Sequence, residues 1–281
     1  MTPDVLDLVA DKKAKCEPFA LATVVRTVSV TAAKAGAKAV IAHDGTITGG
    51  WIGGGCARSA VLKAARLALQ DGQSRLVSIS PGELLAAQGV AAGEERDGVT
   101  YAKNMCPSQG TMDIFIEPVL PRPSLFILGA SPVAIALAEL GERMGFVVVV
   151  CAARDDLQKF AEPVVTIDGL RLPDVIPNDF FVVVSTQGAG DYVAMKAAVL
   201  AGSARYIAFV GSRRKAAALR KDLAEEGVDK SRLDAIKAPA GLDIGAITSE
   251  EIALSIMAEM IETRRRGQRF ATDATAEDAR I

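Results

Sequence analysis

Residues 124–150 read SLFILGASPVAIALAELGERMGFVVVV. The first apolar run ends at Gly129, Ser131 and Pro132 are typical of the N-cap and first residue of a helix, and a second apolar run begins at Phe146. Helical patterns separate the later members of a further set of short apolar runs, at residues 164–167, 180–185 and 206–210. Continuous apolar strands that alternate with helices predict a parallel, doubly wound sheet of Rossmann type.

The chain upstream of this sheet has a different pattern. Pro118, Pro121 and Pro123 form a stiff connector that excludes a helix, and we place a domain boundary there. The sequence thus predicts an α/β protein with a mixed α/β domain over residues 1–119, a Rossmann-like domain over residues 124–265 and a flexible tail, without hydrophobic periodicity, over residues 266–281.

Local patterns in the first domain predict a helix that begins with Thr2 as N-cap and Pro3 as first residue and ends near residue 15. A second helix is expected to begin at Cys56. A solvated loop is expected over residues 89–110, because this segment is polar and contains glycines and a run of charges. Strands are expected at residues 19–28, 38–41, 46–48, 75–80 and 111–119.

Composition excludes several classes of protein. The 281 residues are 50% hydrophobic with a net charge of −2, which supports globular domains but gives no general field for nucleic acid or an anionic membrane. The four cysteines are far apart, and the single histidine, His43, beside a turn, is interpreted as an ordinary loop residue; no structural zinc site or disulfide framework is indicated. Without a secretory signal or membrane span, we expect a cytoplasmic protein.

A glycine-rich loop immediately precedes the second helix of the first domain. Residues 49–72 read GGWIGGGCARSAVLKAARLALQDG, with small apolar residues at helical spacing after the cysteine. Unpaired N–H groups at a helix start favour anions and thiolates, so the loop is a candidate cofactor site formed by Gly53, Gly54, Gly55, Cys56 and Arg58. The alternative interpretation, with turn glycines and a buried structural cysteine, stays open from this stretch alone.

The turn after the first Rossmann strand departs from the dinucleotide-binding pattern. Gly129 is present, but Ser131 replaces the second glycine of the motif. In the motif this second glycine is the residue that lets a pyrophosphate approach the backbone. The acidic residue expected after the next strand is also missing at the strand end, where Arg154 precedes Asp155 and could take a phosphate instead. NAD(P) binding therefore remains open but is disfavoured.

The C-terminal segment combines a glycine-containing loop with an amphipathic helix. Gly241 and Asp243 belong to the loop and, like Gly129, Ser131 and Arg154, are further candidate cofactor contacts. Residues 248–251 (TSEE) form a capping box that opens the helix. The apolar stripe of this helix is interpreted as core or as a dimer contact; it consists of Ile252, Ile256, Met260 and Ile261.

Together these loops resemble the XdhC/CoxI family. The resemblance rests on residues 241–260 (GLDIGAITSEEIALSIMAEM), 211–215 (GSRRK), 36–38 (GAK), 53–56 (GGGC) and 104–106 (NMC), and it covers the chain up to about residue 265. The chain departs from the family pattern at Arg58, at Pro132, around Cys106 and at residues 186–188, which allows a divergent member with another ligand or client.

The resemblance implies an accessory protein that binds molybdenum cofactor, in its molybdopterin or dinucleotide form. Such a protein protects the cofactor while a cysteine desulfurase supports its sulfuration, and delivers it to a molybdenum hydroxylase apoenzyme such as xanthine or carbon monoxide dehydrogenase. Cys56 and Cys106 become the candidate molybdenum contacts, since molybdenum is a soft partner for thiolates.

The resemblance favours a chaperone, expected as a homodimer, over an enzyme, and it assigns no catalytic residue. The alternatives are an NAD(P)-dependent oxidoreductase and an assembly partner that recognises only the client protein.

Overall fold

The computed structural model describes residues 4–105, 109–161, 164–176 and 179–277, with the backbone alone for Cys56 and for residues 266–277. The chain divides into two compact units, Met1–Pro121 with Gly267–Ile281 and Arg122–Arg266. None of the helices in the described part is long and apolar enough to cross a membrane.

The first unit contains a mixed seven-stranded sheet in the order β3-β2-β1-β7-β4-β6-β5. Strand β4 runs parallel to β6, and the other neighbouring pairs are antiparallel. Its helices and strands are α1 Val5–Ala14, β1 Phe19–Val28, β2 Lys38–Ala42, β3 Ile47–Gly50, α2 Gly55–Asp71, β4 Arg75–Pro81, α3 Gly82–Ala87, β5 Glu95–Arg96, β6 Val99–Asn104 and β7 Thr111–Val119.

Helix α2 covers one face of this sheet. Its small apolar residues, predicted from their helical spacing, are buried against β1, β4 and β7 in one core. Because side chains alternate between the two faces of a strand, the residues between these core positions face the other side of the sheet. The buried positions include Val61, Ala65 and Ala68 of α2 with Ala22, Val24, Val77, Ile79, Ile114 and Ile116 of the sheet.

Two predictions for the first unit were wrong. Asp4 is the N-cap of α1, and its side chain accepts a hydrogen bond from the Leu6 N–H at 3.0 Å, whereas Thr2 and Pro3 lie outside the described residues. Residues 89–110 were expected to form a loop, but β5 and β6 lie within this range. Strand β6 is stabilised by its pairing with β4, a partner about twenty residues earlier that local composition does not reveal.

The second unit contains a five-stranded, all-parallel sheet in the order β10-β9-β8-β11-β12. Numbered from its own first strand this is 3-2-1-4-5, which confirms the predicted Rossmann-type sheet. Its elements are β8 Ser124–Leu128, α4 Pro132–Arg143, β9 Val147–Ala152, α5 Arg154–Leu157, β10 Val165–Asp168, β11 Phe180–Val184, α6 Asp191–Leu200, β12 Tyr206–Phe209, α7 Arg213–Glu225 and α8 Lys230–Asp234, followed by α9 Ser249–Glu277.

Both faces of this sheet are covered by helices. Helices α4 and α9 pack on one face and α6 and α7 on the other, which explains why β8, β9, β11 and β12 are almost entirely apolar. The capping box is confirmed: the Glu251 N–H donates to Thr248 Oγ1 at 3.2 Å, and the Thr248 N–H donates to Glu251 Oε2 at 2.9 Å. Ile256 and Met260 lie in the core, as the apolar stripe predicts.

Helix α9 is longer than the sequence indicates. Its backbone remains helical to Glu277, although hydrophobic periodicity is lost after about Arg264 and a flexible tail was expected from residue 266. The helix therefore spans the point at which the two compact units divide.

Candidate functional site

Glycine geometry shapes the start of α2. Gly53 and Gly55 have positive φ angles of 107° and 44°, whereas Gly54, the N-cap, is extended. Side-chain capping is absent at Gly54, and a Cβ added to Gly54 or Gly55 would meet no atom within 4 Å among the described residues. The first turn of the helix thus begins beside open space, as a loop that receives a ligand requires.

This open space belongs to a pocket of about 350 Å³ in the first unit. Gly54 and Gly55 line one side, and Asn104 and Met105 line another. The buried residues Ile79 and Met112 contribute apolar wall. The structure therefore brings together the glycine loop and the segment that leads to the second cysteine, which are some fifty residues apart in sequence.

The described residues on either side of Cys106 are held together by a hydrogen bond. The Asn104 Nδ2 donates a hydrogen bond to the Gly110 carbonyl oxygen at 2.6 Å, and Gly110 also lines the pocket. A Cβ on Gly110 would overlap the Val30 carbonyl oxygen, so only glycine permits this approach. Cys106 itself lies outside the described residues.

Electrostatics at the start of α2 favour an anion. The helix is 17 residues long, its first turn contains no acidic residue, and Arg58 is exposed in that turn. A helix N-terminus carries positive partial charge on its unpaired N–H groups, and Arg58 adds a full charge. The geometry is thus compatible with a phosphate group at the pocket mouth.

The two predicted thiol contacts remain predictions. The side chain of Cys56 and the whole of Cys106 lie outside the described residues, although their sequence neighbours Gly55 and Met105 line the pocket. Among the residues that are described, groups of three or more His, Cys, Asp or Glu side chains able to hold a metal ion are absent.

The turn after β8 is closed by a pair of buried serines. Ser131 Oγ lies 2.6 Å from Ser185 Oγ, and it also accepts a hydrogen bond from the Ala134 N–H at 3.1 Å as the N-cap of α4. Gly129 has φ of +113°, and a Cβ there would overlap the Ser185 carbonyl oxygen. The side chain of Ser131 therefore occupies the place where a second glycine would leave room for a pyrophosphate, which argues against standard dinucleotide binding.

Arg154 follows β9 but faces an acidic partner. Its guanidinium lies 3.2 Å from Asp168 Oδ2 at the end of β10, and its side chain is 82% exposed. The strand end of β9 thus lacks the acidic residue that a ribose would need, since Arg154 precedes Asp155 there, and Asp168 at the end of β10 is paired with this arginine. This exposed pair places Arg154 at the carboxyl edge of the sheet without a further binding partner in the described part of the chain.

A charged cluster that the sequence did not indicate lies at the carboxyl ends of β11 and β12. Asp191, only 6% exposed, accepts hydrogen bonds from the Thr186 hydroxyl and from the Gly188 N–H, and it forms an ion pair with Lys215. Burial alone would raise the pKa of Asp191, but the hydrogen bonds from Lys215, Thr186 and Gly188 outweigh it and lower the pKa. The 24-residue separation of Asp191 and Lys215 hides this pair from local sequence patterns.

Gly241 packs directly on α9. It has φ of +91°, and a Cβ would overlap Ser255 Oγ and lie 2.8 Å from the Ile256 backbone nitrogen. The Gly241 N–H donates to Glu259 Oε2 at 3.0 Å. These contacts explain on structural grounds why position 241 is a glycine. Asp243, two residues further along the loop, is exposed.

These features define a class: a two-unit α/β protein with a glycine-built pocket in one unit and a Rossmann-type sheet, with a closed dinucleotide turn, in the other. Two family models match this chain: the XdhC and CoxI family over residues 13–80, and the XdhC Rossmann domain over residues 125–260. The chain belongs to the XdhC/CoxI family, as the sequence motifs indicated.

Curated relatives and a solved structure are similar to this chain. The uncharacterized protein YqeB of Escherichia coli K12 is 29% identical over 88% of this chain and 44% of its own length. A probable xanthine dehydrogenase subunit from Bacillus subtilis 168 is 30% identical over 56% of this chain and 47% of its own. The chain thus spans less than half the length of these relatives. A crystal structure of a xanthine dehydrogenase from Bacillus halodurans aligns over 94% of this chain and 96% of that one, with 20% identity and a TM-score of 0.46.

Proposed function

We propose that the protein is a maturation factor for a xanthine dehydrogenase-type enzyme and carries molybdenum cofactor as its cargo. The observation that carries the proposal is that the glycine loop and the segment before Cys106 line one pocket of about 350 Å³. Its lining includes Gly54, Gly55, Asn104 and Met105. Membership of the XdhC/CoxI family and the name of the Bacillus subtilis relative support the same role.

The residues of the pocket suit a pterin cofactor that ends in a phosphate. The start of α2, with Arg58 in its first turn, supplies N–H groups and positive charge for the phosphate. Ile79 and Met112 offer an apolar surface for a ring system and exclude water from part of the pocket. The thiols of Cys56 and Cys106, which neighbour the pocket in sequence, are proposed to hold the molybdenum, a metal that accepts soft sulfur ligands.

The cofactor itself supplies the redox chemistry of the client enzyme once it is delivered. The roles of this chain are to bind, orient and shield it, so the proposal assigns no catalytic residue. A cysteine desulfurase as the sulfur source, a homodimer as the assembled form and a cytoplasmic location complete the proposal.

The decisive experiment is an anaerobic titration of the purified protein with molybdenum cofactor, with the bound fraction measured after gel filtration. We expect stoichiometric binding by wild type and by Cys16→Ser, a control at an exposed cysteine, and loss of most bound cofactor in Cys56→Ser. Reconstitution of a xanthine dehydrogenase apoenzyme should follow the same order. Wild-type protein that retains no cofactor would refute the carrier role.

A glycine series tests the location of the site. Gly54 is extended and a Cβ there meets open space, so Gly54→Ala should fold and bind nearly as wild type, whereas Gly54→Leu should place a bulky side chain in the pocket mouth. We expect retention to fall at least about tenfold in the leucine variant at unchanged thermal stability, a difference of about 1.4 kcal/mol in binding. Equal retention by both variants would place the cofactor elsewhere.

A further inference from the structure

The first unit contains a second cavity, of about 280 Å³, on the face of its sheet opposite α2. The strand residues that line it alternate with those of the α2 core: Ser78 and Ser80 flank Ile79, and Thr111 and Asp113 flank Met112. Helix α3 contributes Leu84 and Gln88 to the lining. This cavity is distinct from the glycine-loop pocket, which Ile79 and Met112 line from the other face.

A polar row crosses four adjacent strands in the cavity floor. Arg26 of β1 pairs with Asp113 of β7, Asp113 pairs with Ser78 of β4, and Ser78 pairs with Tyr101 of β6. A register shift in β1 between Val24 and Arg26 produces this row. Val24 faces the α2 core, so without the extra residue Arg26 would face that core too. Bulges that redirect a side chain in this way are frequent beside binding sites.

Asp113 is left with an unused acceptor. Arg26 Nε donates to Asp113 Oδ2 at 2.5 Å, but Oδ1 is buried and has no hydrogen-bond partner among the described residues. The Asp113 side chain is only 13% exposed, whereas the Arg26 side chain is 63% exposed. A buried acceptor without a donor destabilises the folded protein, and a bound donor would remove this deficit.

The hydroxyl groups of the cavity add to this polar surface. Ser78, Ser80 and Thr111 are buried polar residues on a face that α3 partly covers. The two serine Oγ atoms lie 3.5 Å apart, at the limit of a hydrogen bond, so each retains capacity for a guest.

Charge and lining define the chemistry of the guest. The Arg26–Asp113 pair is neutral overall, so the cavity favours neither a metal ion nor a phosphate. Asp113 Oδ1 needs a donor, and the guanidinium of Arg26 can donate further N–H groups beside it. Val28, Leu76 and Val99 supply apolar walls.

We propose that this cavity is a binding site for a small uncharged amide or ureide, a molecule with an N–H donor beside a carbonyl acceptor. Its N–H donates to Asp113 and its carbonyl accepts from Arg26, while the hydroxyls of Ser78 and Ser80 complete its hydrogen bonds. The site goes beyond the proposed cofactor pocket and shares no lining residue with it.

The test uses uracil as the probe, with 1,3-dimethyluracil as the matched ligand that retains both carbonyls but has no N–H. Binding to the full chain is followed by ligand-observed NMR titration to millimolar concentration. We expect saturable binding of uracil and at least tenfold weaker binding of the dimethyl compound. In Asp113→Asn uracil should also bind at least tenfold more weakly, because the donor–acceptor match is broken, whereas the surface control Asp44→Asn should bind as wild type.

Ser80→Ala provides a second variant that keeps the Arg26–Asp113 pair, with an expected three- to tenfold loss, and circular dichroism checks that each variant is folded. Equal binding of the two ligands, no saturable binding of uracil to wild type, or binding unchanged in Asp113→Asn would each overturn the proposal. Cys56→Ser should bind uracil normally, so failure of the cofactor proposal and failure of this one give different results.

Discussion

The Tyr206 hydroxyl donates a hydrogen bond to Glu259 Oε2 at 2.5 Å, which links β12 to α9 across 53 residues of sequence. The same oxygen accepts the Gly241 N–H, and Lys237 Nζ lies 3.8 Å from the other carboxylate oxygen. Burial, then the hydrogen bond and the charge of Glu259, raise the pKa of Tyr206 far above its ordinary value. A buried carboxylate thus joins the strand, the glycine loop and the final helix.

Removal of the Tyr206 hydroxyl should destabilise the protein. In Tyr206→Phe, Glu259 remains buried with one donor fewer, and we expect a loss of about 1–3 kcal/mol in the free energy of unfolding. Tyr192→Phe is the matched control, because its partner Glu226 is at the surface, and it should lose much less stability than Tyr206→Phe. Urea denaturation measures both, and equal losses would show that burial of Glu259 does not matter.

Gly241 and Gly245 form a second matched pair. Both have positive φ, but only at Gly241 would a Cβ meet atoms of α9. Gly241→Ala should therefore cost about 2–4 kcal/mol from backbone strain and overlap together, and Gly245→Ala about 1 kcal/mol from strain alone. Thermal and urea unfolding of the two variants test the difference. A Gly241→Ala variant as stable as Gly245→Ala would contradict the close approach.

The lowered pKa of Asp191 predicts a pH dependence of stability. A carboxyl group whose folded-state pKa lies below its ordinary value of 3.8 stabilises the folded state above that pH, and this contribution is lost as pH falls through the folded-state pKa. We expect Asp191→Asn to be less stable than wild type by about 1–3 kcal/mol near pH 7. The difference should shrink as the pH falls below about 3.8. Urea unfolding at several pH values measures it, and a constant difference would exclude the linkage.

The cysteines at positions 16 and 151 should differ in reactivity. Burial raises the pKa of the Cys151 thiol to about 12, whereas Cys16 is exposed. At pH 8 only on the order of one Cys151 in ten thousand is then a thiolate, the reactive form. Iodoacetamide should label Cys16 in the native protein and Cys151 only after denaturation, as measured by peptide mass spectrometry. Comparable native labelling of the two would contradict the burial of Cys151.

Local sequence patterns predicted the parallel sheet well because four of its five strands are buried on both faces. Their apolar runs need no knowledge of a partner to be recognised, and the structure gives β8, β9, β11 and β12 within two residues of the expected bounds. Of the two missed strands, β5 and β6, the longer is β6, which is half-buried and follows charged and glycine residues. Its stabilisation comes from the register with β4, so the pairing rather than the composition determines it.

Among the candidate sites too, those built from contiguous residues could be predicted and those that join distant residues could not. The glycine turn before α2 was recognised because every feature of it is contiguous in the chain. The Ser131–Ser185 contact, the Asp191–Lys215 ion pair and the row through Asp113 each join residues far apart in sequence. The sequence could therefore indicate that the dinucleotide turn was altered, but the structure was needed to show which atoms close it.

The pairing of β1 with β7 has a consequence for synthesis of the chain. These two strands are neighbours in the sheet of the first unit, yet Phe19 pairs with Val119. The central pair of strands therefore cannot form until about a hundred residues after Phe19 have been synthesised. At the usual rate of about 5–20 residues per second, ribosomes need roughly 5–20 s for that length. During this interval the backbone edge of β1 that pairs with β7 is unpaired, so the nascent chain is a natural substrate for chaperones that bind extended hydrophobic segments.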